Sequence, residues 1–256
     1  MRHIVMIHGM WGKSWVWNNF VEYFSQAGYH CWTPTLRYHD IEPGTSPDPR
    51  LGTTSLLDYA GDLETEIKKF EEKPVLVGHS MGGLLAQILA AREAASAAVL
   101  LTPASPAGIM ALKPSVIKTF GSVMNRWGFW RKPMLIPFKA ASYSILNALP
   151  PAEQQEKYAK FVHESGKAAF EIGFWLFDRR QASRVDETKV KCPLLVIAGE
   201  WDKITPYSVV KKIKEKYGKR ADFLAKKEMG HWAMEERDWD ILAEEILNWI
   251  RKQEKN

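Results

Sequence analysis

The 256-residue chain is 46% hydrophobic and 12% aromatic, ample for a substantial core, which excludes a disordered or fibrous protein. Its formal charge of +5 is too mild to mark a nucleic-acid binder. The two cysteines, Cys31 and Cys192, fall in apolar strand-like contexts and read as buried free thiols, in keeping with a reducing compartment.

The first run, His3 to Ile7, has only four apolar residues in a row before His8-Gly9. That is too short for a signal peptide or a membrane span, so a soluble, cytoplasmic protein is expected. Ser14 to Ala27 is amphipathic, with Trp17, Phe20, Val21 and Phe24 at helical spacing, and Tyr29 to Leu36 reads as a second strand. A Pro, Gly, Ser and Asp-rich loop over residues 40–54 leads into a helix from Ser55 to Glu71. Pro74 to Val77 is a compact strand, Met81 to Ala95 a helix, and Ala97 to Leu101 a strand again. Such alternation predicts an α/β fold with a mostly parallel, doubly wound sheet, because parallel neighbours need crossover connections.

The rhythm stops at Pro103. Up to about Val185 the chain is helical in places (Ser115 to Arg126, Ala152 to Phe177), broken by prolines and without a strand-like run. Alternation resumes with Pro193 to Ala198, a helix from Ser208 to Tyr217, a strand at Ala221 to Ala225 and a last helix from Trp239 to Lys252. The division implied is a core of residues 1–102 and 186–256 with a helical insertion at 103–185. The insertion holds twelve basic and five acidic residues. This excess is read either as an ordinary solvated face or as a surface for carboxylates, phosphate headgroups or weak membrane contact.

Gly78-His79-Ser80-Met81-Gly82 matches GxSxG directly after a buried strand and before a helix. A sharp strand-to-helix turn there leaves the Ser80 hydroxyl exposed at the carboxyl edge of the sheet, and the helix N-terminus favours an oxyanion beside it. No HExxH or Cys/His ligand spacing and no nucleotide-binding glycine loop occurs, so neither metal nor cofactor is expected.

With this motif and His8-Gly9-Met10-Trp11-Gly12 after the first strand, the sequence resembles the α/β-hydrolase family. The resemblance implies an oxyanion hole from the N–H groups of Met10 and Met81, with His8 bracing the loop. It implies Asp202, in Gly199-Glu200-Trp201-Asp202, as the acid, with Glu200 its nearest competitor. His231, in Met229-Gly230-His231-Trp232, becomes the base, giving the order Ser, Asp, His. The two leading strands of the family sheet are missing, so about six strands are expected, and the insertion corresponds to the family's cap. Trp11, Trp127, Trp130 and Trp232 are candidate substrate contacts, and the cap's aromatics either roof a pocket or only pack the cap onto the core. The activity implied is hydrolysis of a small or medium apolar acyl or aryl ester through an acyl-enzyme. A thioesterase, a lysophospholipase or monoacylglycerol lipase, or a C–C bond hydrolase would use the same triad. A receptor with a slow or dead triad belongs to a different class.

Overall fold

The structure, a computed structural model, describes residues 2–124 and 126–255. Strand β1 (His3–Ile7) buries Ile4 to Ile7 completely, as an interior strand of a parallel sheet must when helices cover both faces. A 3₁₀ turn at Ser14–Trp17 leads into α1 (Asn18–Gln26), whose Phe20 and Phe24, one turn apart, enter the core. The predicted strand from Tyr29 to Leu36 shortens to β2 (His30–Trp32). Pro34 follows at once and has no N–H to give a ladder.

Helix α2 (Leu56–Ile67) starts at a capping box in which Ser55 and Asp58 satisfy each other's backbone donors. Then come β3 (Val75–His79), α3 (Met81–Ala91) and β4 (Ala97–Leu101). Residues between β4 and the next long strand form α4 (Pro114–Met124), the two-residue β5 (Pro133–Met134), α5 (Phe138–Ser144), α6 (Pro151–Ala159), β6 (Glu164–Ser165) and α7 (Gly166–Gly173). The chain closes with β7 (Leu194–Gly199), α8 (Tyr207–Tyr217), β8 (Ala221–Lys226) and α9 (Trp239–Gln253).

The six long strands lie in the order β2-β1-β3-β4-β7-β8, and every neighbouring pair is parallel. This is the doubly wound sheet expected from the alternation. From β1 the chain winds outward to β2, then returns across to β3 on the other side. The order therefore reverses between β1 and β3, where the crossover connections diverge and leave a crevice outside the carboxyl ends of both strands. The register aligns Ile7 with Gly78 and His79 with Leu101, so the loops carrying Met10 and Ser80 leave the sheet side by side into that crevice.

Two features of the insertion differ from expectation. The helix expected from Ala152 to Phe177 is broken at residues 160–165, where β6 pairs antiparallel with β5 and Ser165 caps a new helix by accepting from the Ala168 N–H. Gly166 makes the break possible: a Cβ there would lie 1.8 Å from the Phe129 carbonyl oxygen. The insertion is also tied to the core by buried polar bonds. The Glu171 carboxylate accepts from the Ser55 hydroxyl and from the Leu56 N–H, both 2.8 Å away, at the start of α2. Glu164 accepts from the Tyr59 hydroxyl at 2.8 Å and pairs with His39 at 3.1 Å, all three being buried. Among the described residues no helix is long and apolar enough to cross a membrane.

Candidate active site

Ser80 is the hinge between β3 and α3, with φ +55° and ψ −119°, a left-handed conformation that costs a non-glycine residue energy. The geometry is held by its surroundings. The Ser80 N–H donates to the Leu101 carbonyl on β4, and its own carbonyl accepts from Ala104, Gly83 and Leu84. The flanking glycines are required by close approach: a Cβ on Gly78 would stand 2.2 Å from the Gly82 carbonyl oxygen, and one on Gly82 would stand 2.1 Å from that of Ile7. The motif thus serves to press α3 against both β3 and β1.

Asp202 follows β7 and is buried, whereas its competitor Glu200 points to solvent. Asp202 Oδ1 accepts from the N–H groups of Ile204 and Thr205, each at 2.8 Å, and Oδ2 accepts from the Thr205 hydroxyl at 2.6 Å. The same Oδ2 lies 2.8 Å from His231 Nδ1. Burial alone would raise the Asp202 carboxyl, yet the electrostatic attraction of His231 and the bonds from His231 and Thr205 outweigh it and hold the carboxyl below its ordinary range. An ionised Asp202 makes His231 Nδ1 the donor and leaves Nε2 without its proton, ready to accept one.

His231 is bound into place by its neighbours. Glu236 Oε2 accepts from the Gly230 N–H at 2.6 Å and Oε1 from the Trp232 N–H at 2.9 Å, clasping the loop on both sides of the histidine. Burial pushes the Glu236 carboxyl up to about 7 against these two bonds. The His231 carbonyl accepts from His79 Nε2 at 2.8 Å, and the two rings lie 4.7 Å apart. Burial, reinforced by the nearby His231, lowers His79 to about 3, so it is a neutral donor at pH 7. His8 is likewise lowered to about 3, chiefly by burial. Its Nε2 accepts from the Leu36 N–H at 3.1 Å, so Nδ1 carries the proton and donates to the Gly9 carbonyl at 2.8 Å. It braces the loop that carries Met10.

Ser80, Met10 and Met81 line an apolar cavity of about 340 Å³ between the sheet edge, α4 and α7. Its mouth is marked by Leu112 and Ile117, which line it and remain exposed. Among the described residues neither the Met10 nor the Met81 N–H has a hydrogen-bond partner. Ser80 and His231 share the wall of a second, smaller cavity and are not joined by a hydrogen bond, a looseness common before substrate arrives. Trp11 and Trp232 also line this second cavity.

Of the four candidate tryptophans, Trp127 and Trp130 lie outside both cavities. Gly128, with φ +75°, turns the chain so that Trp127 is 88% exposed and packs edge-on against Trp130, which rests on Phe129 and Phe170. Phe120 and Met124 form the roof instead, and Ile172 and Phe174 of the second half of the insertion meet them. The sequence reading did not single out Thr205, Glu236 or His79 for a role. Thr205 has a local signal, since Asp followed three residues later by Thr is an Asx-type turn; Glu236 and His79 have none.

A model of the alpha/beta hydrolase family matches residues 4–245 of the chain. No curated protein sequence matches it. Among solved structures, a methylesterase protein from Arabidopsis is 15% identical with a TM-score of 0.73, the match covering 98% of this chain and 99% of that one. A monoacylglycerol lipase from Paleococcus ferrophilus is 19% identical with a TM-score of 0.69, over 98% and 94% of the two chains. Tomato methylketone synthase I, solved with 2-tridecanone, is 16% identical with a TM-score of 0.73, over 98% of each. These likenesses extend to the fold.

Proposed function

The chain belongs to the alpha/beta hydrolase family, and from that premise we propose that it is a serine hydrolase cleaving carboxylic esters of small or medium apolar acyl or aryl groups. The observation that carries this reading is a single arrangement. Asp202 fixes the His231 tautomer at 2.8 Å, and His231 shares a cavity wall with a strained Ser80, which lines a cavity together with Met10 and Met81, whose N–H groups have no partner among the described residues.

The chemistry follows from these parts. Ser80 Oγ attacks the ester carbonyl while its proton passes to His231 Nε2, and the oxyanion settles against the Met10 and Met81 N–H groups at the positive end of α3. Collapse expels the alcohol, which takes the proton from His231 and leaves an acyl-enzyme. Water then attacks with His231 again as base, releasing the acid and restoring Ser80. Asp202 stays ionised throughout and stabilises the transient imidazolium. Neighbours described as a methylesterase and a lipase support ester cleavage as the type of reaction.

The test is labelling with a fluorophosphonate probe, reading the modified peptide by mass spectrometry in wild type, Ser80→Ala and His231→Ala. Labelling at Ser80 that is abolished by His231→Ala is expected. Loss of ester turnover by about 10⁴-fold or more should accompany either substitution. A folded protein that is never labelled, yet binds small apolar molecules, would instead be a non-catalytic receptor.

A further inference from the structure

Ser80 stands between two cavities of very unequal size. The large one measures about 340 Å³ and the small one about 20 Å³. They share Met10, Ser80, Phe120 and Ile204 as a common wall, but His231 lines only the small one. Given the triad reading above, on which this inference rests, the two spaces cannot exchange roles. The leaving oxygen must receive its proton from the same His231 nitrogen that took it from Ser80, so the alcohol departs on the histidine's side. The acyl chain is then left with the other side.

We propose that the enzyme takes esters that pair a sizeable apolar acyl group with the smallest alcohols, methyl esters above all, the acyl chain lying between α4 and α7. A volume of about 340 Å³ lies in the range of ligand pockets. A volume of about 20 Å³ corresponds to little more than one water, which needs roughly 10–15 Å³ measured in this way. Methanol fills such a space, whereas the chain of glycerol or a fatty alcohol would have to leave it through its opening and forgo these walls. The small cavity also has fixed walls. The Trp11 indole donates to the Met134 carbonyl at 3.2 Å, and the Trp11 carbonyl accepts from Val162. The Trp232 indole donates to Glu235 at 2.7 Å while its N–H is held by Glu236. Ile145, another of its wall residues, is buried. The space vacated by a small alcohol is then the right size for the water that hydrolyses the acyl-enzyme, which must reach the same nitrogen.

The large cavity specifies the other half of the substrate. Among the described residues no charged side chain lines it, and Ser105 and Thr205 are its only polar members besides Ser80. An ionised group on the acyl chain would lose its water without a partner, so dicarboxylate half-esters and phosphorylated acyl groups are excluded.

The experiment measures kcat/KM of the full chain for methyl, ethyl, butyl and hexyl octanoate, for octyl acetate, and for monomethyl suberate as a charged acyl control. A fall of at least about 100-fold from methyl to butyl octanoate is expected, since each methylene that fails to fit costs roughly tenfold or more. Octyl acetate and monomethyl suberate are expected to be as poor. Ile145→Ala, with Ile145→Val as the milder version, is expected to raise the butyl to methyl ratio by about tenfold. Equal turnover of butyl and methyl octanoate, or a preference for octyl acetate, overturns the assignment of the two cavities while leaving the triad intact. A wild-type protein that turns over none of these esters and is not labelled at Ser80 overturns both.

Discussion

Glycine at position 82 has no substitute that the local geometry admits, because the atoms a side chain would strike are the carbonyls of Ile7 and His8 on the neighbouring strand. Gly82→Ala is therefore expected to unfold the protein or destabilise it by more than about 4 kcal/mol, against the ordinary cost of about 1 for a point mutation. Urea titration followed by far-UV circular dichroism measures this. Glu236 presents a finer case. Its two oxygens hold the loop on either side of His231, and a glutamine keeps one acceptor but turns an amide N–H₂ toward the other backbone donor. If the proposed triad operates, Glu236→Gln is expected to lower kcat about tenfold with little change in KM, because the substitution displaces His231 and leaves the large cavity as it is. Steady-state kinetics on a chromogenic ester separates the two. At this scale the sequence is informative where candidate residues fall in a contiguous string: Ser80 is marked by its glycines, and the family resemblance picks out Asp202 and His231 at positions after strands. Glu236 and His79 act through contacts that only the fold creates, and nothing in Met234-Glu235-Glu236 distinguishes one glutamate from the other.

Among the elements, the inserted segment departs furthest from its sequence pattern. The segment from Ala152 to Phe177 reads as one helical stretch, and the chain instead makes two helices with a short strand between. Local propensity cannot foresee that break, since it is set by a backbone 111 residues earlier: Ser165 Oγ donates to the Thr54 carbonyl at 2.6 Å. The same segment carries Glu164, whose carboxylate faces His39, Tyr59 and the Ser165 N–H. Both ring nitrogens of His39 face acceptors, Glu164 and the Arg37 carbonyl. Burial opposes its protonation, but the Glu164 charge and these hydrogen bonds win and raise its pKa. Glu164→Ala strands that buried histidine, and a loss of about 3–5 kcal/mol is expected in urea unfolding. The tryptophans make a similar point. Trp11, Trp127, Trp130 and Trp232 look equivalent as residue types, but only the two on core loops reach the cavities. The pair on the insertion follows a glycine turn away from them.

Over the whole molecule, buried histidines govern the response to acid. His8 and His79 are lowered to about 3 by burial, whereas in the unfolded chain they would titrate near the ordinary 6.5. The unfolded state therefore binds protons first as pH falls, so the stability these residues hold above 6.5 is lost progressively between about 6.5 and 3. His39, with a raised value, has the opposite sign: its contribution is present below 6.5 and fades as pH climbs through its folded pKa. Going from pH 7 to pH 5, each lowered histidine is expected to cost about 2 kcal/mol, offset in part by His39 and by Glu236, whose carboxyl, raised to about 7 by burial, takes up its proton first in the folded state. Urea titrations at the two pH values, with His79→Asn as the flatter comparison, check this. The parallel, doubly wound sheet was legible at this scale because strand and helix alternate so regularly, while the contacts that tie the insertion to the core were not, being decided by pairings more than a hundred residues apart. One of those pairings reaches further. Since Glu171 supplies acceptors at the first turn of α2, removing the insertion would take away the carboxylate that holds the start of a core helix and bare to water the surface it covers. Despite its look of an accessory, the segment belongs to the same cooperative unit as the sheet. Calorimetry should accordingly record one transition, with van't Hoff and calorimetric enthalpies equal, and no permuted or trimmed core should survive without it.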